Sequence, residues 1–125
     1  MGPLLFARAE RLHQDSDEWL DDAPLPEFDV AEDKANLITS ASEVTKTFHV
    51  PALDIDFPCE LRESSTPGHF HLFIDHTITW ERYVMLLSGL LAAGLIQETW
   101  FKESLRRGYT ALRHNTTKQQ ERGGA

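Results

Sequence analysis

The stretch LDIDFPCELRESSTPGHFHLFIDH, residues 53–76, decides the fold because apolar and polar residues alternate on both sides of a central turn segment. Three apolar residues alternate with Asp54 and Asp56 before the turn, and three more alternate with His69 and His71 after it. Alternation with a period of two is typical of a β-strand with one face toward a core. The stretch therefore predicts two adjacent strands joined by a turn.

The segments on either side add further strands and two helices. Residues 36–57 are rich in β-branched and aromatic residues, which favours strands. Residues 79–94 carry apolar residues at helical spacing. Thr79 is a good N-cap for this predicted helix, and Gly94 is a typical residue to end it. A second, shorter helix is predicted up to Gly108, followed by a strand over 109–113. This order predicts an α+β fold, a small antiparallel sheet with helices on one face.

Length and charge predict how the chain is organised. A chain of 125 residues that is 41% hydrophobic is suited to a single domain. Residues 1–35 are rich in carboxylates and punctuated by proline, which predicts an acidic, partly disordered arm. Within that arm a short helix over 4–12 is an alternative. We expect a single α+β domain over 36–113 and a polar tail over 114–125.

Composition narrows the classes of function. The formal net charge of -8 argues against a protein whose whole surface binds nucleic acid, although a local basic groove is compatible with it. Cys59 is the single cysteine, which excludes a disulfide within the chain and favours a reducing compartment. No apolar run approaches the length of a membrane span. We therefore expect a cytoplasmic protein with no membrane partner.

The paired aspartates and histidines predict a metal site. Residues two apart on a strand project from one face, so Asp54 pairs with Asp56 and His69 pairs with His71. If the two strands are antiparallel neighbours, all four side chains share a face and offer the oxygen and nitrogen ligands of Mg²⁺, Mn²⁺ or Zn²⁺. The alternative is an ordinary solvent-facing sheet, because a register slip of one residue sends one pair to the opposite face.

The turn itself predicts a phosphate site. Hydroxyl and backbone N–H groups of a Ser/Thr-rich turn can hold a phosphate, and glycine lets the ligand approach closely. Ser65, Gly68 and His69 are therefore candidate phosphate-binding or nucleotide-binding residues, with Arg113 as an additional cation. A plain hairpin loop is the alternative.

LDID followed by SSTPGHFHLFID resembles the palm of archaeo-eukaryotic primases and primase-polymerases, over residues 53–76. The resemblance implies metal binding by Asp54 and Asp56, a turn shaped by Ser65 and Gly68, and contact of His69 or His71 with nucleotide phosphates. It also implies a primase-palm-like or ferredoxin-like sheet. The third acidic residue of that family has no counterpart in YTALRH, residues 109–114. The resemblance therefore implies a palm domain that lacks one acidic residue of the family, with or without catalytic activity.

Two further resemblances involve the same residues. The segment from LDID to GYTALR is similar to a family of actinobacterial and phage proteins marked by SSTPGHxHLYID and RGYTxxR, which implies a phage or mobile-element origin. The HFH strand, residues 69–71, also resembles the His-apolar-His strand of rolling-circle replication endonucleases, with Tyr83 as the nominal nucleophile.

These observations lead to one expected function and two alternatives. We expect a phage-type accessory protein with a divalent-metal and nucleotide-phosphate site, which binds a nucleotide or nucleic acid. A non-catalytic protein that binds a host or phage protein through its acidic N-terminal arm is the first alternative. A His-x-His metal-dependent nuclease is the second.

Overall fold

The computed structural model describes residues 2–10 and 25–114, and the chain divides into two compact units. We call Met1–Asp54 the N-terminal unit and Ile55–Ala125 the C-terminal unit. Within the described residues, two small antiparallel sheets and two α-helices confirm the expected α+β class. The division falls between Asp54 and Ile55, whereas the sequence suggested a boundary at residue 35. Residues 11–24 of the expected arm and residues 115–125 of the expected tail lie outside the described residues.

The N-terminal unit contains a three-stranded antiparallel sheet in the order β2-β1-β3. Its described elements are β1 (Phe6–Arg8), β2 (Glu27–Val30), a 3₁₀ helix (Glu32–Lys34) and β3 (Leu37–Ile38). Asn36 extends the pairing of β1 with β3. Its side chain accepts a hydrogen bond from Ala9 N at 2.9 Å and donates one to Ala9 O at 2.8 Å. The alternative helix over 4–12 is therefore wrong for its described part, which contains β1.

The sheet of the C-terminal unit is a hairpin of β4 (Cys59–Glu63) and β5 (Phe70–Ile74). The strand predicted over 53–57 is wrong, since no strand is present there and β4 begins only after Pro58. A hairpin closed by residues 64–69 confines less chain than a pairing that starts at Leu53, so its closure costs less entropy. The alternation of Asp54 and Asp56 is thus not a strand periodicity.

A tight turn connects β4 to β5. His69 N donates to Thr66 O at 3.1 Å, and Gly68 between them has a φ of +81°. Proline at the second position and a positive φ at the third are the signature of a type II turn. Pro67 and Gly68 therefore fix the direction in which the chain returns.

Two helices follow the hairpin, α1 (Trp80–Ala92) and α2 (Glu98–Arg107). The predicted ends are confirmed: Thr79 Oγ1 accepts a hydrogen bond from Arg82 N at 3.2 Å, while Gly94 and Gly108 follow the helices with φ of +77° and +86°. Leu87 of α1 is only 2% exposed. Neither helix in the described part of the chain is long and apolar enough to cross a membrane.

The segment after α2 is held by both helices. The strand predicted over 109–113 is wrong, because these residues have no strand partner. Instead the hydroxyl of Tyr83 on α1 lies 2.9 Å from Thr110 Oγ1, and Trp100 Nε1 on α2 donates to Ala111 O at 3.1 Å. Side-chain hydrogen bonds thus replace a sheet ladder in holding Thr110 and Ala111.

Candidate functional site

One side of the β4–β5 hairpin carries most of its charge, and we call it the charged face; its residues are Glu60, Arg62, His71 and Phe73. Arg62 is opposite His71 in the ladder, and Glu60 is opposite Phe73. Directly opposed residues in an antiparallel pair project to the same side, so the four side chains form one patch. Their neighbours in the strands, which include Leu61 and Leu72, project to the other side.

Arg62 is fixed by two of its neighbours on the charged face. Its Nε donates to Glu60 Oε1 at 2.8 Å and its Nη2 donates to Glu60 Oε2 at 2.9 Å. The guanidinium carbon also lies 4.9 Å from the centre of the Phe73 ring, a cation–π contact. The paired hydrogen bonds raise the pKa of Arg62 and lower the pKa of Glu60, so both groups are charged at neutral pH.

Arg62, His71 and Phe73 of the charged face line a cavity of about 350 Å³, which we call the hairpin pocket. The remaining lining residues come from the segment after α2. The pocket is lined by Arg62, His71, Phe73, Thr110, Leu112, Arg113 and His114. Two arginines and two histidines therefore surround one open cavity, and Phe73 and Leu112 supply apolar surface to it.

Two of the basic side chains that line the pocket, Arg113 and His71, are not engaged by the residues that the structure describes. Neither the Arg113 guanidinium nor the His71 imidazole makes a hydrogen bond or ion pair with any described residue. Residues 55–125 hold 8 acidic and 8 basic residues, so this unit has no net negative charge to repel an anion. The local environment of the pocket is therefore suited to an anionic ligand.

The turn forms a second cavity, of about 330 Å³, which we call the turn pocket. Its lining includes the predicted phosphate residues Ser65, Gly68 and His69, together with Glu63. The His69 N–H is already bonded to Thr66 O, and Ser64 Oγ accepts a hydrogen bond from Thr66 N at 3.2 Å. The backbone N–H of His69 is thus not available to an anion, and the Glu63 carboxylate would repel one. The turn pocket is therefore less suited to an anion than the hairpin pocket.

The structure divides the predicted site residues between different places. His71 and Arg113 line the hairpin pocket, whereas Ser65, Gly68 and His69 line the turn pocket. Asp54 and Asp56 precede β4 and lie in no strand. The Tyr83 hydroxyl is bonded to Thr110 Oγ1, as described above.

The four predicted metal ligands, Asp54, Asp56, His69 and His71, do not line one common pocket among those described above. No group of three or more His, Cys, Asp or Glu side chains within residues 2–10 and 25–114 is arranged to hold one. Asp54 is the last residue of the N-terminal unit, and His69 and His71 line different pockets. We therefore derive no chemistry through a metal.

Arg62, Glu60 and Phe73 were not among the residues singled out from the sequence. Their signal is present in CELRE, residues 59–63, where Glu60 and Arg62 alternate with Cys59 and Leu61 directly before the turn. A strand in that position has the shortest connection to β5 and places Arg62 opposite His71.

Comparison of the chain with protein families, with curated proteins and with solved structures found no match.

Proposed function

We propose that the C-terminal unit binds the phosphate of a nucleotide or polynucleotide in the hairpin pocket. The observation that carries this proposal is the convergence of Arg62, His71 and Arg113 on one cavity, although they come from three separate segments. Guanidinium groups match the geometry of phosphate oxygens and can donate two parallel hydrogen bonds to them. An imidazole beside them adds a further donor.

The remaining lining favours a nucleotide over a bare inorganic anion. Phe73 and Leu112 are 41% exposed each, so the pocket presents apolar surface next to its cations. A base or sugar can cover such surface while the phosphate contacts the arginines, and bases stack well on aromatic rings. A volume of about 350 Å³ is at the lower end for small-molecule sites, which suits a ligand of mononucleotide size.

The role we propose is that of an accessory protein which binds its ligand without reacting it. The phage or mobile-element origin implied by SSTPGHFHLFID and RGYTALR gives a setting in which nucleotides and nucleic acids are the substrates of neighbouring proteins. A divalent cation is not required by the proposal, because Arg62 and Arg113 supply the positive charge that a metal would otherwise bring.

The test is titration of the full chain with adenosine 5′-monophosphate (AMP), followed by calorimetry or by chemical shifts of backbone amides. Arg113→Ala is expected to weaken binding about tenfold, since a charge-assisted bond to phosphate contributes on the order of 1.5–3 kcal/mol. Arg82→Ala is the matched control, because Arg82 is an exposed arginine of α1 that does not line the pocket. Equal weakening by both substitutions, or no binding by the wild type at millimolar AMP, overturns the proposal.

A second candidate is favoured by the distribution of charge. Residues 1–54 hold 12 acidic and 4 basic residues, so the N-terminal unit carries the full net charge of -8. We propose as the alternative a binding surface for a basic protein partner. Retention of the chain by immobilised polylysine at 150 mM salt, and its loss when acidic residues of this unit are neutralised, would support that function independently of AMP.

A further inference from the structure

The Glu60 carboxylate already occupies one edge of the Arg62 guanidinium in the hairpin pocket. Both Glu60 oxygens are used, at 2.8 and 2.9 Å from Nε and Nη2. This is the bidentate arrangement in which a guanidinium also binds phosphate. Any anion that enters the pocket must therefore share Arg62 with Glu60 or displace it.

We propose that Glu60 is an internal competitor that selects terminal phosphate groups over phosphodiesters, an inference that rests on the proposed phosphate site. A phosphodiester carries a single negative charge, like the carboxylate that it would replace, so the exchange brings little electrostatic advantage. A terminal phosphate carries a charge of about -1.5 to -2 at neutral pH and has three terminal oxygens. It therefore competes better for Arg62 and has oxygens left for Arg113.

The charge state and exposure of the pair indicate how strong this competition is. The hydrogen bond from Arg62 holds the pKa of Glu60 below its usual range, so the competitor is ionised at neutral pH. The side chains of Arg62 and Glu60 are 51% and 59% exposed, and such solvent-exposed ion pairs are weak and screened by salt. The selection is therefore a matter of a few-fold in affinity and can be reduced by a single substitution.

The experiment compares two probes with the full chain: AMP, which has a terminal phosphate, and the dinucleotide TpT, which has only a diester. The wild type should bind AMP more tightly than TpT. Glu60→Gln removes the charge and one acceptor for Arg62, and should tighten TpT binding about three- to fivefold while tightening AMP binding less. Discrimination between the probes should therefore fall.

Glu103→Gln is the matched control. Glu103 accepts a hydrogen bond from Arg106 Nη2 at 2.6 Å within α2, and neither residue lines the hairpin pocket. The same change of charge at this similar exposed pair should leave the affinity for both probes within about twofold, because distant surface charges are screened by salt.

The outcomes separate this inference from the proposed function. If Arg113→Ala weakens AMP binding as expected but Glu60→Gln leaves discrimination unchanged, the competitor role is overturned and the phosphate site stands. If Glu60→Gln and Glu103→Gln change both affinities equally, the effect is one of net charge and the competitor role is again overturned. If neither the wild type nor Glu60→Gln binds either probe, both proposals are overturned.

Discussion

Arg62 and His71 are direct partners in the ladder between β4 and β5, and both side chains line the hairpin pocket. Opposed residues in an antiparallel ladder have their Cβ atoms about 5 Å apart, so a guanidinium and an imidazole start from neighbouring points. Arg62 is held further by the Glu60 carboxylate and the Phe73 ring. The hairpin thus presents to the cavity a guanidinium that contacts two of its neighbours.

Arg62→Lys tests whether the shape of this cation matters in addition to its charge. Lysine keeps the charge but lacks the planar fork that binds Glu60 and phosphate in parallel and stacks on Phe73. We expect AMP affinity to fall about three- to tenfold, measured by titration calorimetry. Arg106→Lys, on α2 and outside the pocket, should have no effect. Full affinity in Arg62→Lys would contradict a bidentate contact.

Tyr83→Phe tests the anchor of the segment that carries Arg113. The substitution removes the hydroxyl that lies 2.9 Å from Thr110 Oγ1 in a half-buried position. We expect the free energy of unfolding in urea to fall by about 1 kcal/mol. Tyr109→Phe is the control, because Tyr109 is 59% exposed and its hydroxyl makes no hydrogen bond to a described residue. Equal stability of the wild type and Tyr83→Phe would show that the bond is not formed in solution.

Two Gly→Ala substitutions should change the free energy of unfolding in opposite directions. Gly68 has a φ of +81°, which an L-residue with a Cβ disfavours, so Gly68→Ala should destabilise the fold by about 1–2 kcal/mol. Gly89 lies inside α1 with open space where a Cβ would be, so Gly89→Ala should stabilise it by about 0.5–1 kcal/mol. Urea unfolding measures both. A stabilising Gly68→Ala would exclude the type II turn.

Leu87→Ala tests where the core of the C-terminal unit lies. Leu87 is 2% exposed, and truncation of a buried leucine costs about 2–5 kcal/mol through lost burial and the remaining cavity. Met85→Ala on the same helix should change stability by less than about 0.5 kcal/mol, since Met85 is 74% exposed. Chemical denaturation followed by far-UV circular dichroism gives both values, and similar losses would place the core elsewhere.

The Glu103–Arg106 pair predicts a small dependence of stability on pH. The hydrogen bond from Arg106 lowers the pKa of Glu103 in the folded state. The pair therefore contributes stability above the unfolded-state pKa of Glu103 and loses it as the pH falls through the folded value. The urea midpoint should decline less between pH 7 and acid pH in Glu103→Gln than in the wild type. A steeper decline of the urea midpoint in Glu103→Gln than in the wild type would contradict this prediction.

Local signals in the sequence predicted the elements whose structure is set locally. The alternation in HFHLFID predicted β5, although His69 and Asp75 lie just outside it. Thr79 marked the start of α1, and Gly94 and Gly108 marked the ends of the two helices. Each of these features depends on the conformation of a few adjacent residues.

The hairpin pocket was not predicted as a whole because it depends on partners that are distant in the chain. Sequence reasoning selected His71 and Arg113 but paired β5 with the wrong segment, so Arg62 was missed. The periodicity at 53–57 is as clear as that of β4, and only the spatial pairing distinguishes them. The position of Thr110 and Ala111 depends on their hydrogen bonds with Tyr83 and Trp100, for which no local pattern exists.

The six residues that separate Glu63 from Phe70 determine which side chains meet across the hairpin. If one residue were lost or added there and the pairing slipped by one position, the two sides of one strand would be exchanged. Arg62 and His71 would then be on opposite sides of the ribbon, and the pocket would lose one of them. Homologous chains that bind the same ligand should therefore vary in the composition of this connection before they vary in its length.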